Sequence, residues 1–118
     1  MTGTLPKAIS AYVDATNAHN IEALVATFTD DALVNDVSRE FWGSDKIRRW
    51  IEREITGAKV TMDVVEVIEQ HGDIIVRAEI DGEFDKTGLP NPLVPTSYFS
   101  IDNGKICQLI ITNNKPAP

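Results

Sequence analysis

The 118-residue sequence predicts an α+β protein in which three N-terminal helices pack on a curved, mostly antiparallel sheet. Apolar residues recur at helical spacing through the first half of the chain, whereas they alternate with polar residues from Lys59 onward. Turn signals at His71-Gly72-Asp73 and Asp102-Asn103-Gly104 divide this second half into antiparallel strands. Because a twisted sheet covered by helices encloses a cone, we expect a pocket at the open end of the cone.

The first two helices are predicted to form a hairpin. The first should begin near Thr4, a candidate cap, and Pro6, which fits a first helical turn. Its buried face is predicted to contain Ile9, Tyr12, Val13 and Thr16. His19 and Asn20 interrupt this pattern, and Asn20 is placed to cap the second helix. The buried stripe of the second helix is predicted to contain Ile21, Leu24, Val25 and Phe28.

A third amphipathic helix is predicted to follow Gly43. Ser44 is a good N-cap, and Asp45 is favourable in the first turn because it faces the positive end of the helix dipole. Gly57 is placed to be the C-terminal cap. The buried positions of this helix are predicted to be Ile47, Trp50, Ile51 and Ile55.

The remaining segments are predicted as strands and one long loop. Strands are expected at residues 32–37, 39–42, 59–70, 74–84, 96–101 and 105–113. The segment 85–95 contains three prolines and should form a loop or a weak edge. Residues 1–4 and the last few residues are expected to be loose. The whole chain, residues 1–118, is long enough for one domain and too short for two.

Asp36 is the residue on which most of the functional argument depends. Alternation places it on the same side of its strand as Ala32 and Val34, facing an apolar interior. A carboxylate there costs free energy unless it is paired or hydrogen-bonded, so such groups are functional candidates. Asp36 could act as a general base or anchor a polar ligand group. It could instead be structural, capping a turn or pairing with Arg39 or Arg48.

Charge and composition exclude several classes of partner. The net charge of −7 argues against binding to nucleic acid or to anionic membranes. No apolar run approaches the length that spans a membrane, and no signal peptide is recognisable. Cys107 is the single cysteine, so no intrachain disulfide can form. We therefore expect a cytoplasmic protein.

The sequence offers no recognisable cofactor or metal motif. His19 ends a helix and His71 lies in a turn, and both positions should be solvated. No histidine, aspartate and glutamate set has metal-ligand spacing. A glycine-rich phosphate loop and a Gly-x-Ser-x-Gly nucleophile motif are likewise missing. We expect neither a metal nor a cofactor.

Three segments carry a resemblance to a known family. They are the helix segment from Ala11-Tyr12-Val13 through Asn17-Ala18, then Phe28-Thr29-Asp30-Asp31-Ala32, and then Phe41-Trp42-Gly43-Ser44-Asp45-Lys46-Ile47-Arg48. With the order of elements, they resemble the nuclear transport factor 2-like superfamily and its SnoaL-like domains, relatives of ketosteroid isomerase and polyketide cyclases. The resemblance implies a cone-shaped fold. It does not by itself imply a reaction, because this fold hosts enzymes, binding modules and transport factors.

The resemblance also implies roles for individual residues. Ketosteroid isomerase uses a tyrosine, an aspartate base and a protonated aspartic acid. Tyr12 matches the tyrosine and Asp36 matches the base, so both are candidate catalytic residues. The second acid should fall just before Tyr98-Phe99, where this chain has Ser97. Serine lacks the acidity of a carboxyl group, so the resemblance does not imply a true steroid isomerase.

The other predicted site residues would line the pocket. Ser97 alternates with Phe99 and should face inward, and Trp42 either walls the mouth of the pocket or is exposed. The full set of predicted ligand-binding residues is Ser97, Phe28, Trp42, Trp50, Phe84, Phe99, Leu109, Ile111 and Asn113.

Three functions remain open from the sequence. The first is binding of a small, largely hydrophobic molecule with a carbonyl or hydroxyl group. If the protein is an enzyme, Asp36 would move a proton next to that group while Tyr12 and Ser97 orient the oxygen, and isomerase, cyclase and hydrolase chemistry all stay open. The second is a non-catalytic binding or dimerisation module, and the third is an accessory protein that uses the sheet surface for a partner. Val65 and Val67 are predicted to lie among charges on the second face of the sheet. A covered face would explain them, so we expect a homodimer.

Overall fold

The computed structural model describes residues 5–113, and it has the predicted order of helices followed by strands. The helices are α1 (Lys7–Asn17), α2 (Ile21–Val25) and α3 (Gly43–Trp50), and α3 continues into a π-helix at Ile51–Ile55. The strands are β1 (Phe28–Asp36), β2 (Arg39–Trp42), β3 (Thr61–Gln70), β4 (Asp73–Asp81), β5 (Thr96–Asp102) and β6 (Lys105–Thr112). The Thr4 cap and the loose ends predicted for residues 1–4 and the last few residues lie outside the described residues.

The strands form one sheet of six in the order β2-β1-β6-β5-β4-β3. The four strands β3 to β6 form the predicted antiparallel meander. The pairing of β1 with β6 is parallel, and no local pattern in the sequence indicates it. This pairing aligns Asp36 with Ile111. The α+β class with a curved, mostly antiparallel sheet is thereby confirmed.

The second helix ends earlier than its apolar stripe predicts. Phe28 was expected on this helix, but α2 ends at Val25 and Phe28 opens β1. Two hydrogen bonds explain the change: the Thr27 hydroxyl donates to the Leu24 carbonyl at 2.7 Å, and the Ile106 amide donates to the Thr27 carbonyl at 2.8 Å. The chain therefore joins the sheet four residues before the predicted start at residue 32.

Both predicted caps of the third helix are wrong. Trp42 occupies the N-cap position, and the Ser44 hydroxyl instead donates to the Asp30 carbonyl at 3.3 Å. At the C-terminal end, the cap residue of the π-helix is Thr56 rather than Gly57. The left-handed conformation expected of a C-terminal glycine is adopted by Lys59, with a φ of 51°. Gly57 is needed for a different reason, since a Cβ there would collide with the Glu52 carbonyl oxygen.

A β-bulge in β3 turns Val67 to the face of the sheet opposite to the predicted one. Val64 pairs with Ala78 and Glu66 pairs with Arg77, so Val65 is the extra residue. The inserted residue changes the alternation, and Val67 is consequently buried on the helix-covered face, 5% exposed. Val65 remains on the outer face at 48% exposed, together with Ile68 at 41% and Tyr98 at 40%.

The helices cover the inner face of the sheet and close its core. The largest fully buried apolar side chains are Trp50, Phe99, Ile9, Leu24, Ile47, Ile51, Ile106, Leu109, Val34 and Val76. Strand β4 ends at Asp81 rather than at Phe84, and the long loop 82–95 then returns to β5. The Ile80 amide donates to the Leu93 carbonyl at 2.9 Å, which holds this loop beside the end of the sheet.

Candidate functional site

A cavity of about 540 Å³ lies between the inner face of the sheet, α1 and the π-helix. Its floor contains a row of three residues from adjacent strands, because Ile111 on β6 pairs with both Asp36 on β1 and Ser97 on β5. The volume is within the range of small-molecule pockets, about 300–1,000 Å³. The cavity is therefore large enough to hold a small organic molecule.

Asp36 lies at the end of β1, with its side chain 18% exposed. Its Oδ2 atom accepts hydrogen bonds from the Trp50 indole Nε1 and from the Arg39 Nη2, each at 3.0 Å. Oδ1 has no hydrogen-bond partner among residues 5–113. Of the two arginines named as alternatives, Arg39 is the one that pairs with Asp36, while Arg48 binds Glu22 at 2.6 and 2.9 Å.

Arg39 connects Asp36 to a second carboxylate at the mouth of the cavity. Its guanidinium donates two hydrogen bonds to Glu54, at 2.9 and 2.6 Å. The guanidinium carbon also lies over the ring of Phe41, 5.7 Å from the ring centroid. The hydrogen bonds to Glu54 raise the pKa of Arg39 despite its partial desolvation. The cluster of Asp36, Arg39 and Glu54 thus carries a net charge of one negative unit and links β1 to the π-helix.

Tyr12 reaches the cavity from α1 and is only 4% exposed. Its ring packs edge-to-face on Phe99 at 5.4 Å and on Phe28 at 6.0 Å. No residue in the range 5–113 forms a hydrogen bond with its hydroxyl group. Burial, and secondarily the charge of Asp36, raise the pKa of Tyr12 well above its ordinary value. The hydroxyl therefore stays protonated at neutral pH and can donate to a ligand oxygen.

Ser97 lies in the floor of the cavity and is 7% exposed. In the register of the sheet it has Ile111 on one side and Val76 on the other. Like the hydroxyl of Tyr12, its hydroxyl makes no hydrogen bond within the described part of the chain. Ser97 thus offers a second donor in the cavity, although a weaker one than a carboxylic acid.

Four further predicted residues line the cavity, and four do not. Those that line it are Trp50, Phe84, Ile111 and Asn113. Phe28, Phe99 and Leu109 instead fill the core, since the helices cover the part of the sheet on which they lie. Trp42 is 60% exposed and borders a separate shallow depression beside Asp30. The structure therefore places these four residues outside the lining of this cavity, and their contact with a ligand stays a prediction.

Sequence reasoning missed most of the apolar wall and the charged mouth of the cavity. The missed wall residues are Ile55, Val60, Met62, Ile80, Leu89, Leu93 and Pro95. The prolines of segment 85–95 were the available signal for part of this wall. They predict a long loop, and long loops in compact domains are often functional. Arg39 was named only as a structural partner of Asp36, and Glu54 was not named, because their contact depends on the fold.

The described residues contain neither a metal-like cluster nor a membrane-spanning helix. In the range 5–113, no three histidine, cysteine, aspartate or glutamate side chains are grouped as metal ligands would be. Within the same range, each helix is too short or too polar to cross a bilayer.

Comparison with known proteins agrees with the fold. A family model described as a SnoaL-like domain matches residues 9–109. A candidate polyketide cyclase from Sinorhizobium meliloti is 30% identical, with a TM-score of 0.81 over 92% of this chain and 95% of that chain. No curated protein matches the chain.

Two more distant solved structures share the fold alone. A hypothetical protein from Catenulispora acidiphila with a ketosteroid isomerase-like fold, in complex with trimethylamine, is 20% identical, with a TM-score of 0.76 over 92% of this chain and 86% of that chain. A nuclear transport factor 2-like protein of unknown function from Cytophaga hutchinsonii is 14% identical, with a TM-score of 0.75 over 97% and 95% of the two chains. The family match and the shared fold lead to one conclusion: this chain belongs to the SnoaL-like domain family, within the nuclear transport factor 2-like fold.

Proposed function

We propose that this protein binds a small, largely apolar molecule with a carbonyl or hydroxyl group in the cavity. The observation that carries the proposal is a set of polar atoms in the cavity that have no hydrogen-bond partner among residues 5–113: the hydroxyls of Tyr12 and Ser97, and Oδ1 of Asp36. These atoms line an open cavity, so their hydrogen-bonding capacity is available to water or to a ligand. A ligand with a polar end would accept or donate hydrogen bonds there, while the apolar wall would take the rest of the molecule.

Proton transfer is the chemistry that these groups support. A ketone bound with its oxygen at the Tyr12 hydroxyl would place an adjacent C–H group within reach of Asp36. Asp36 would then remove the proton and return it at another carbon, while Tyr12 stabilises the developing oxyanion. Isomerases and cyclases both use such a step, and the name of the Sinorhizobium meliloti relative belongs to this class. The bound substrate is therefore proposed to be an enolisable carbonyl compound.

The test has a binding step and a chemical step. Ketones, lactones and epoxides are first screened by thermal shift, and the compounds that bind are then incubated in D₂O with the protein. We expect the wild type to catalyse deuterium exchange next to the carbonyl, and Asp36→Asn to bind the same compound without exchange. Val65→Ala, on the outer face of the sheet, is the matched control and should behave as the wild type does. Failure of every carbonyl compound to bind would refute the proposed enolisable carbonyl substrate.

A second candidate function is a non-catalytic binding module, which the pairing of Asp36 with Arg39 and Trp50 favours. A carboxylate that is neutralised by one group and hydrogen-bonded by another can be purely structural. In that case ligands bind, but the wild type gives only the background rate of deuterium exchange. The exchange measurement therefore separates the two candidates.

We also propose that the chain forms a homodimer through the outer face of its sheet. The exposed apolar side chains of Val65, Ile68 and Tyr98 support this proposal, because contiguous apolar surface often marks an interface. A cytoplasmic location, the lack of nucleic-acid partners and the single-domain organisation stay predictions from the sequence.

A further inference from the structure

We propose that Trp50 is a positioning residue that holds Oδ2 of Asp36 and so reserves Oδ1 for the ligand. The proposal rests on the function proposed above, in which Asp36 moves a proton. It adds a role that the sequence does not indicate, since Trp50 was expected only to line the pocket. Trp50 itself would not exchange a proton with the ligand.

The first observation is that two donors meet at one oxygen atom. The Trp50 indole and the Arg39 guanidinium both bind Oδ2 of Asp36 at 3.0 Å. A carboxylate oxygen that accepts two donors has little capacity left for a third. Because Oδ1 has no partner among the described residues, it is the oxygen that a substrate would meet. The arrangement thus distinguishes two atoms that are chemically identical in a free carboxylate.

The second observation is that the two donors differ in exposure. Trp50 is 1% exposed, whereas the side chain of Arg39 is 53% exposed. Ion pairs that involve an exposed arginine are weakened by salt and by side-chain motion. Arg39 also donates two hydrogen bonds to Glu54, so it has another partner when Asp36 turns away. The buried indole is therefore the donor that fixes the orientation of Asp36.

The third observation is that Trp50 cannot turn away from Asp36 easily. Its ring packs on Phe41 at a centroid distance of 6.1 Å, and it ends α3 where the π-helix begins. Within the described residues, Oδ2 of Asp36 is the acceptor that its indole N–H uses. A catalytic group must be held to within about 0.5 Å of its productive position. A ring locked into the core meets this requirement better than a flexible surface side chain.

The experiment removes the N–H group without changing the shape of the ring. Trp50 is replaced by 3-benzothienylalanine, in which sulfur takes the place of the N–H group. The same replacement at Trp42 is the control, since that indole donates to Glu40 at 3.2 Å outside the cavity. Arg39→Gln is the comparison variant for the exposed donor. Crystal structures of the three variants and the wild type are determined, and deuterium exchange of a bound ketone is measured.

The crystal structures decide the proposal whether or not the protein is an enzyme. We expect the Asp36 carboxylate to move by more than about 0.5 Å when the N–H group of Trp50 is removed. It should stay in place in Arg39→Gln and in the Trp42 control. A carboxylate that superimposes on the wild type after the Trp50 replacement would overturn the proposal.

The exchange rates test the consequence for catalysis. A misplaced base can cost about a hundredfold in rate, so we expect a loss of this order at Trp50 with the dissociation constant of the ketone unchanged. A merely structural role would change affinity or stability and leave the rate of the bound complex intact. Full exchange after the Trp50 replacement contradicts the proposal, whereas background exchange in the wild type contradicts only the proton-transfer function. These two failures are thus distinguishable.

Discussion

Asp36 and Ser97 flank the same residue, Ile111, on opposite sides in the register of the sheet. Neighbouring strands are about 4.8 Å apart, so the two residues lie about 10 Å apart along the floor of the cavity. Tyr12 reaches the same cavity from α1. A carboxylate and two hydroxyl groups therefore surround one volume, and each can be changed separately.

The first prediction concerns Ser97. We expect the native protein to be a very poor isomerase of 3-oxo-5-ene steroids, because Ser97 stands where the resemblance to ketosteroid isomerase implies an acidic donor. The substitution Ser97→Asp places a carboxyl group between Ile111 and Val76, where the apolar surroundings favour its neutral form. One such donor is worth about 2.7–4 kcal/mol of transition-state stabilisation. The isomerase rate, followed by the absorbance of the conjugated enone, should rise at least about tenfold.

The control for this gain is the double variant Ser97→Asp with Asp36→Asn. It should return to the background rate, since the acid alone cannot remove the proton. If Ser97→Asp folds and binds the steroid without any gain, the likeness to ketosteroid isomerase ends at the fold.

The second prediction concerns stability at high pH. Because the folded protein raises the pKa of Tyr12, the unfolded chain loses the phenolic proton near its ordinary pKa of 10.0 while the folded protein keeps it. This contribution to stability is complete below pH 10 and is lost as the pH rises above it. The loss should be about 1.4 kcal/mol per pH unit. Urea unfolding of the wild type and Tyr12→Phe, measured between pH 8 and about pH 11, isolates the effect.

Near neutral pH, Tyr12→Phe should be as stable as the wild type, because the lost hydroxyl has no partner within residues 5–113. Parallel stability curves for the two proteins above pH 10 would show that Tyr12 titrates as an exposed tyrosine does.

The third prediction separates two substitutions of Asp36. In Asp36→Asn, the amide oxygen can still accept a hydrogen bond from the Trp50 indole, and Arg39 keeps its two hydrogen bonds to Glu54. We expect a change in the free energy of unfolding within about 1 kcal/mol, as for an exposed ion pair. In Asp36→Leu, the buried indole N–H loses its acceptor, which should cost about 1–3 kcal/mol. Equal stabilities of the two variants in urea would exclude a structural contribution from the indole hydrogen bond.

The fourth prediction concerns the oligomeric state. Sedimentation of the wild type should give twice the chain mass of 13.0 kDa, and Ile68→Lys should give a monomer because it places a charge in the apolar patch. A stable interface of this kind buries more than about 1,000 Å² in total. Trp42→Lys is the control, since Trp42 is exposed but lies on β2, away from Ile68. A monomeric wild type at tens of micromolar would refute the dimer.

Local patterns were sufficient to predict much of the fold. Helical spacing located α1 and α3, and strict alternation located the strands of the meander, because both signals arise within a few residues. The same alternation turned Ser97 and Asp36 toward the cavity. Their roles with a ligand stay predictions until binding is measured.

The missed features all depend on contacts between distant residues. Parallel pairing of β1 with β6 joins segments more than seventy positions apart, and nothing in either segment specifies its partner. The single residue inserted at the bulge, Val65, moved the side chain of Val67 from the predicted outer face of the sheet to the inner face. Trp50 was predicted to be buried and to line the pocket, but the hydrogen bond from its indole to Asp36 could not be predicted because it depends on the tertiary fold.

The parallel pairing of β1 with β6 has a consequence for biosynthesis. Asp36 is translated before the neighbour that completes its side of the sheet, Ile111, which lies 75 positions further along the chain. Until then β1 has one unpaired edge, which nascent chains expose to aggregation and to chaperones. The cavity is consequently assembled only after translation has passed β6, so ligand cannot assist the early steps of folding.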